Sequence, residues 1–319
     1  MLRASAGAVP LLMGAGRASA QATYPTRPVK VVIPYPPAGG ADTVGRILFQ
    51  KLGEMWGAQF VIDNRGGAGG TIAAAAVAKA ERDGTTIMYD ATAHSVNPSL
   101  YPNLPYDTVK DFAPIFLSAL VTNLLVVNKA VEAKTVADVI ALAKATPGGL
   151  EWASSGNGTV QHLALEMFKH QAKIQLNHIP YRGGGLVLND LIAGQVKFYF
   201  SNAAASIGHV QSGTIKCLAH TGRGRLATLP EVPTVAETLP GFEAYEWHGV
   251  FAPSDTPPEI IAKLNAGLNT VIKQPDVAER LKQLNVETRQ NTPEEFRAFV
   301  ASEMEKWGRV VREANIKLG

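Results

Sequence analysis

From Tyr24 onward the chain alternates short apolar runs with amphipathic stretches. "PVKVVIPY" sets Val29, Val31, Val32 and Ile33 between prolines, the pattern of a strand buried on both faces. "DTVGRILFQKLGEMW" brings Val44, Ile47, Leu48, Leu52 and Met55 near one face of a helix. "AQFVIDNR" reads as a second strand. "GGAGGTIAAAAVAKAERDG" reads as a glycine turn and an alanine-rich helix closed at Asp83-Gly84, and "TTIMYDA" as a third strand. The pattern then repeats. "NLLVVNK" predicts a strand, "TVADVIALAKATPG" a helix capped by Thr135 with Gly148 near its end, and "LEWASSG" a strand running into a Gly/Ser turn. "VQHLALEMFKHQA" predicts a helix, "IQLNHIPY" a strand, "GGLVLNDLIAGQ" a helix, and "VKFYFSN" and "IKCLAHTG" strands. Two helices, "IIAKLNAGLNTVIKQ" and "PEEFRAFVASEMEKWGRVVREAN", end the chain, with a short strand, "VETRQ", between them.

Strands alternating with helices at this spacing predict an α/β fold with mostly parallel sheets flanked by helices. The 319 residues suit two hydrophobic cores. The final helices need a sheet to pack on, and the first half is the better host. Domain 1 is therefore expected to be discontinuous, 24–121 plus 251–319, with domain 2, 122–250, inserted into it. Two chain crossings would form a hinge and leave a ligand cleft between the lobes. The proline-rich "NPSLYPNLPYDTVKDFAPI" is more than a linker in this reading.

Composition narrows the function. With 30 basic and 27 acidic residues the net charge is +3, and no Lys/Arg run occurs, which argues against a nucleic-acid partner. One cysteine, Cys217, excludes an internal disulfide framework and reads as a buried free thiol. No H-E-x-x-H occurs among the seven histidines, and neither metal nor cofactor is expected. There is no G-x-x-x-x-G-K-[ST], no G-x-G-x-x-G and no G-x-S-x-G. A Ser155–His162 dyad has nothing evident to activate it, so no catalytic residue is assigned. "MLRASAGAVPLLMGAGRASAQ" carries Arg3, an apolar stretch and Ala18-Ser19-Ala20, the form of an export signal (1–20) cleaved after Ala20; a plain tail is the alternative. No other window is apolar enough to span a membrane.

Three turns share one physical logic: a strand ends in small residues and a helix follows, so unpaired N–H groups face outward and favour an anion. The first runs from Tyr35 through Pro37, Ala38, Gly39 and Gly40 to Asp42. Its prolines stiffen the approach, its glycines admit a ligand to the backbone, and Asp42 is expected as the helix N-cap. The second is Ser154, Ser155, Gly156, Asn157, Gly158 and Thr159, with His162 on the helix behind it. The third, Asn64 to Gly70, serves equally well as a ligand loop or as a tight packing turn.

These segments resemble the Bug, or TctC-type, family of extracytoplasmic solute receptors of tripartite tricarboxylate transporters. The likeness rests on "YPTRPVKVVIPYPPAGGADTVGR", "VIDNRGGAGG", "DGTTIMYDATAHSVNPSLY", "YDTVKDFAPI", "ASSGNGTVQHLALEMF", "HIPYRGGG", "DLIAGQV" and "LPEVPTVAETLPGFEAYEWHGVFAPSDTPPEI", in order, from Tyr24 nearly to the C-terminus. It implies a two-lobed periplasmic binding protein of type II, a monomer that closes on a small organic carboxylate and delivers it to TctA/TctB-like membrane subunits. A receptor signalling to a membrane sensor kinase and an enzyme on the same scaffold are the alternatives.

The resemblance also implies site residues. The first loop grips a carboxylate, the second adds hydrogen bonds, Ala91, Thr92, His94 and Asn97 line the cleft after the third strand, and Ser201 and Asn202 form a last wall. Many members carry Asp-Asn where this chain has Ser201-Asn202, and this implies a wall without charge and a neutral-bodied mono- or dicarboxylate rather than an amino acid. Family members commonly read "NRPGAGG", with a proline where Gly66 stands, which loosens that turn. His94 reads equally as a cleft or a loop histidine. Tyr181 joins the site, Tyr35 serves as an aromatic lid, Arg182 reads as a surface cation, and Trp247 and His248 serve the hinge.

Overall fold

In the computed structural model, which describes residues 24–313 and 316–317, the apolar runs form strands and the amphipathic stretches form the helices between them. The first unit opens with β1 (Val29–Ile33), α1 (Gly40–Trp56), β2 (Phe60–Asn64), α2 (Thr71–Ala78) and β3 (Thr86–Ala91). β1 pairs in parallel with β2 and β3, and Val29, Val31 and Ile33 of β1 are fully buried. α1 buries Val44, Leu48, Phe49 and Leu52 and ends at Gly57 in the left-handed conformation. Met55 stays exposed, and Phe49 takes its place in the buried stripe.

After α3 (Ala93–Leu100) comes β4 (Phe112–Val127), which carries the chain into the second unit. There α4 (Val136–Ala145), β5 (Leu150–Ser154), α5 (Val160–Ala172), β6 (Leu176–Pro180), α6 (Gly184–Ala193), β7 (Phe198–Asn202), α7 (Ala203–Gln211) and β8 (Lys216–His220) follow. α4 starts on a capping box: Thr135 accepts from the Asp138 N–H, and Asp138 accepts from the Thr135 N–H. β9 (Tyr245–Pro253) returns to the first unit. α8 (Pro258–Val271), α9 (Pro275–Gln283), β10 (Val286–Glu287) and α10 (Pro293–Glu313) complete it.

The sheets are mixed rather than mostly parallel. β5 pairs in parallel with β6 and β7, but every pair made by β4 or β9 is antiparallel. The cause is topological: the chain leaves the first unit on one central strand and returns on another, and adjacent strands of opposite travel pair antiparallel. β4 changes partner between Thr122, opposite Tyr245 of β9, and Asn123, opposite Asn202 of β7. β9 pairs only with β3 and β4, so 245–250 belong with the first sheet and not, as expected from the sequence, with the inserted unit.

Leu264, Leu268 and Val271 of α8 share a core with β1 and α1. Trp307 and Val311 of α10 instead pack with Val96 and Leu100 of α3 and with Trp152 and Phe168 of the second unit. The last helix thus braces the junction between the units. Among the described residues, no helix is long and apolar enough to cross a membrane. The expected export signal lies outside the described residues.

Candidate functional site

A small cavity of about 30 Å3 lies between the units. Five helices begin on its wall: α1 at Gly39 to Ala41, α3 at Thr92 and Ala93, α5 at Thr159 to Gln161, α6 at Gly184, and α7 at Asn202 and Ala205. The first-turn N–H groups of a helix lack intrahelical partners, and each N-terminus carries roughly half a positive charge. Among the described residues, no Lys, Arg or His lines this cavity. The positive partial charges on its wall are therefore those of fixed backbone dipoles, which suit an anion and need no reorganisation when one arrives.

Asn202 adds a placed side chain. Its Oδ1 accepts from the Ala204 N–H at 2.9 Å and caps α7. That bond decides which way the amide points, and Nδ2 is left buried at the cavity with no partner in full hydrogen-bond geometry among the described residues, yet close enough to Glu246 to favour its charge. A buried donor left unpaired costs about 1–3 kcal/mol, a cost that a ligand oxygen would remove. Asn202 also touches the opposite unit. A Cβ on Gly40 would stand 2.2 Å from its Cγ and 2.4 Å from Nδ2, so only glycine lets α1 meet the amide. At the rim, a Cβ on Gly183 would fall 2.3 Å from Pro36 Cγ, a second point where the units meet face to face.

Of the residues expected at the site, Tyr35, Gly39, Gly40, Ala91, Thr92, Ser155, Thr159 and Asn202 line the inner cavity. Tyr35 donates to Asp90 at 2.8 Å, which pins its ring at the wall. An outer cavity of about 210 Å3 adjoins it, lined by Gly156, Asn157, Tyr181 and Arg182 together with the Gly67 to Gly70 turn. Pro37 and Ala38 are exposed and line neither.

The others stand behind the wall. Asp42 is not the N-cap, which is Gly39; it sits in the first turn and reaches back to the Ala38 N–H at 3.0 Å. Burial opposes its charge, but bonds from Arg46, Ala38 and Asn64 hold its carboxyl below the ordinary value. His94 is buried between the rings of Phe112 and Phe251, so its strand-end position leads into the core and not into the cleft. Asn97 donates to the Gly69 carbonyl at 3.1 Å, and a Cβ on Gly158 would lie 3.3 Å from Asn97 Oδ1, so both serve the contact between the glycine turns.

Ser154 and His162 support the second loop from beneath. Ser154 Oγ lies 2.6 Å from His178 Nε2, His178 stacks on His162 at 4.1 Å, and His162 Nδ1 accepts from the Gly158 N–H. Burial lowers both histidines, His162 to about 3 and His178 to about 4. Burial pushes the Cys217 thiol up to about 12.

Ser201 is fully buried and lines neither cavity. The expectation of an uncharged wall, drawn from that serine, is corrected by Glu246 of β9, which does line the inner cavity. Gln161 donates to Glu246 and to Asn123, and Ser155 donates to Gln161 at 2.6 Å. His248 Nε2 lies 2.9 Å from Glu246 Oε1. Tyr199, Gln161 and Glu246 were not expected at the site. "EAYEWHGVF" lies far along the chain from the glycine turns, and only strand pairing brings Glu246 beside Asn123 and Gln161. For Gln161 a signal existed, since it stands two residues beyond the Thr159 cap.

Two α/β units joined by antiparallel crossing strands, with an anion cavity between them, are the architecture of a periplasmic solute-binding protein. The model of the tripartite tricarboxylate transporter family receptor, TctC, matches residues 44–316, and the chain belongs to this family. The periplasmic binding protein BugD superposes with a TM-score of 0.89 at 32% identity, covering 92% of this chain and 99% of its own. Rpa4515 of Rhodopseudomonas palustris, with adipate, gives 0.89 at 34% identity, with 92% and 99% covered. MatC of the same organism, with bound malate, gives 0.86 at 32%, with 90% and 100% covered. Family members are periplasmic solute receptors, and the ligands in these two neighbours are carboxylates.

Proposed function

We propose that this chain is exported, captures a small organic carboxylate between its two units, and delivers it to the membrane subunits of a tripartite tricarboxylate transporter. The observation that carries the reading is the inner wall: five helix N-termini and the unpaired Asn202 amide converge, and among the described residues no basic side chain lines the cavity. Fixed N–H dipoles replace the hydration shell of a carboxylate, and the contacts between units exclude water, so each dipole acts in a low-dielectric space. No bond is made or broken in this scheme. β4 and β9 form the hinge, because they carry the chain between the units, and closure brings Gly40 against Asn202 and Gly183 against Pro36. Adipate and malate in related receptors favour the same ligand class here.

Native mass spectrometry of the protein purified from its host periplasm, followed by titration calorimetry with any acid released, tests the proposal. A bound organic acid that rebinds at micromolar concentration is the expected result. A protein that carries no acid, and that neither mono- nor dicarboxylates bind, refutes it.

A further inference from the structure

The inner cavity is lined by two kinds of polar group. One comprises first-turn N–H groups and the unpaired Asn202 Nδ2, all donors. The other is Glu246, the one charged side chain lining the cavity among the described residues, 7% exposed. Burial raises the proton affinity of this carboxyl, but His248, Asn202 and Gln161 outweigh burial and hold it below the ordinary glutamate value. It is therefore ionised at neutral pH. His248 Nε2 must donate to it, because an ionised carboxylate only accepts.

Two oxygens offer about four acceptor positions. His248 takes one on Oε1 and Gln161 one on Oε2, so acceptor capacity remains on both. Among the described residues, no Lys or Arg lines the cavity beside Glu246. A ligand whose carboxylate is held by the first-turn N–H groups shares the cavity with a fixed negative acceptor. A second carboxylate there would face a like charge in a space that excludes water, whereas an ammonium or hydroxyl would donate into it.

We propose that the cavity selects a monocarboxylate bearing a hydrogen-bond donor, an amino or hydroxyl group, placed against Glu246, and that Glu246 rejects diacids without a donor. This rests on the reading of the chain as a carboxylate receptor and specifies which carboxylates it takes. It differs from the neutral-bodied ligand expected from Ser201, because the charge stands on a different strand.

The test is titration calorimetry at pH 7.5 with chain-matched acids: succinate, butyrate, 2- and 4-hydroxybutyrate and 2- and 4-aminobutyrate, then the six-carbon counterparts from adipate to 6-aminohexanoate. At the chain length that binds best, an amino or hydroxy acid should bind at least tenfold more tightly than both the diacid and the unsubstituted acid. A preference for the amino acid over the hydroxy acid assigns charge pairing, and parity assigns hydrogen bonding alone. Glu246→Gln should erase the preference for the amino acid and strengthen diacid binding at least fivefold.

Tightest wild-type binding of a diacid overturns the proposal while leaving the receptor reading intact, and this outcome needs no variant. A wild-type ranking retained in a folded Glu246→Gln protein also overturns it. If no acid in the panel binds the wild type, the carboxylate-receptor reading fails and the proposal fails with it.

Discussion

Gly40→Ala separates the stability of the units from their closure. Gly40 opens α1 in the first unit, and Asn202 caps α7 in the second. A methyl at Gly40 would lie 2.2 Å from Asn202 Cγ, more than 1 Å inside an ordinary contact of roughly 3.4–4 Å. To make room, the amide must leave its cap or the units must stay apart. Losing the cap costs about 0.5–2 kcal/mol, and an unpaired, buried Ala204 N–H about 1–3 kcal/mol, two views of one loss that should not be added. Taking about 1–3 kcal/mol, affinity falls about 5- to 150-fold. Within the first unit the change is neutral or favourable, since alanine suits a helix better than glycine by up to about 1 kcal/mol. The unliganded variant should therefore melt no lower than the wild type. It should bind the best acid of the panel more weakly and contract less on ligand addition in small-angle scattering. Unchanged affinity and full contraction would refute the closure argument, and a lower melting temperature without ligand would show that the overlap is felt inside the folded units.

Three further outcomes are expected. Asn202→Ser retains an N-capping oxygen but lacks Nδ2, so it should lose about tenfold in affinity with little change in melting temperature, whereas Asn202→Ala should lose both affinity and about 1 kcal/mol of stability; equal melting temperatures for the two would contradict the capping role. Thr135→Ala removes one half of the capping box of α4, away from the cavity, and should cost about 1 kcal/mol in a denaturant titration with ligand affinity unchanged. His178 and His162 are neutral in the folded protein down to about pH 4 and 3, while in the unfolded chain they take up protons near pH 6.5. The stability they contribute is thus complete above pH 6.5 and is lost as pH falls towards 4 and below. His178→Asn should make the melting temperature fall less steeply between pH 6.5 and 4 than in the wild type, and parallel profiles would exclude the effect.

The sequence disclosed what local rules decide and concealed what partners decide. β1, with Val29, Val31 and Ile33 in a proline-bounded run, and α4, with Thr135 three residues before Asp138, announce themselves because periodicity and capping act over a few residues. The Gly39-Gly40 and Ser155 to Thr159 turns were legible for the same reason, since small residues between a strand and a helix expose N–H groups whatever the neighbours are. α3 and α7 were not predicted. Pro98 interrupts the first, and "AAASIGHVQ" has little polar contrast, so packing against α10 and α1 decides their helical state rather than amphipathicity. β9 was not predicted because "YEWHGVFAP" mixes Glu246, His248 and Gly249 into a run whose strand character comes from pairing with β3 and β4. That strand carries Glu246. A carboxylate that enters a cavity only because two strands distant in the chain lie side by side leaves no local signature, and the residue proposed to choose the ligand was for that reason the one hardest to find.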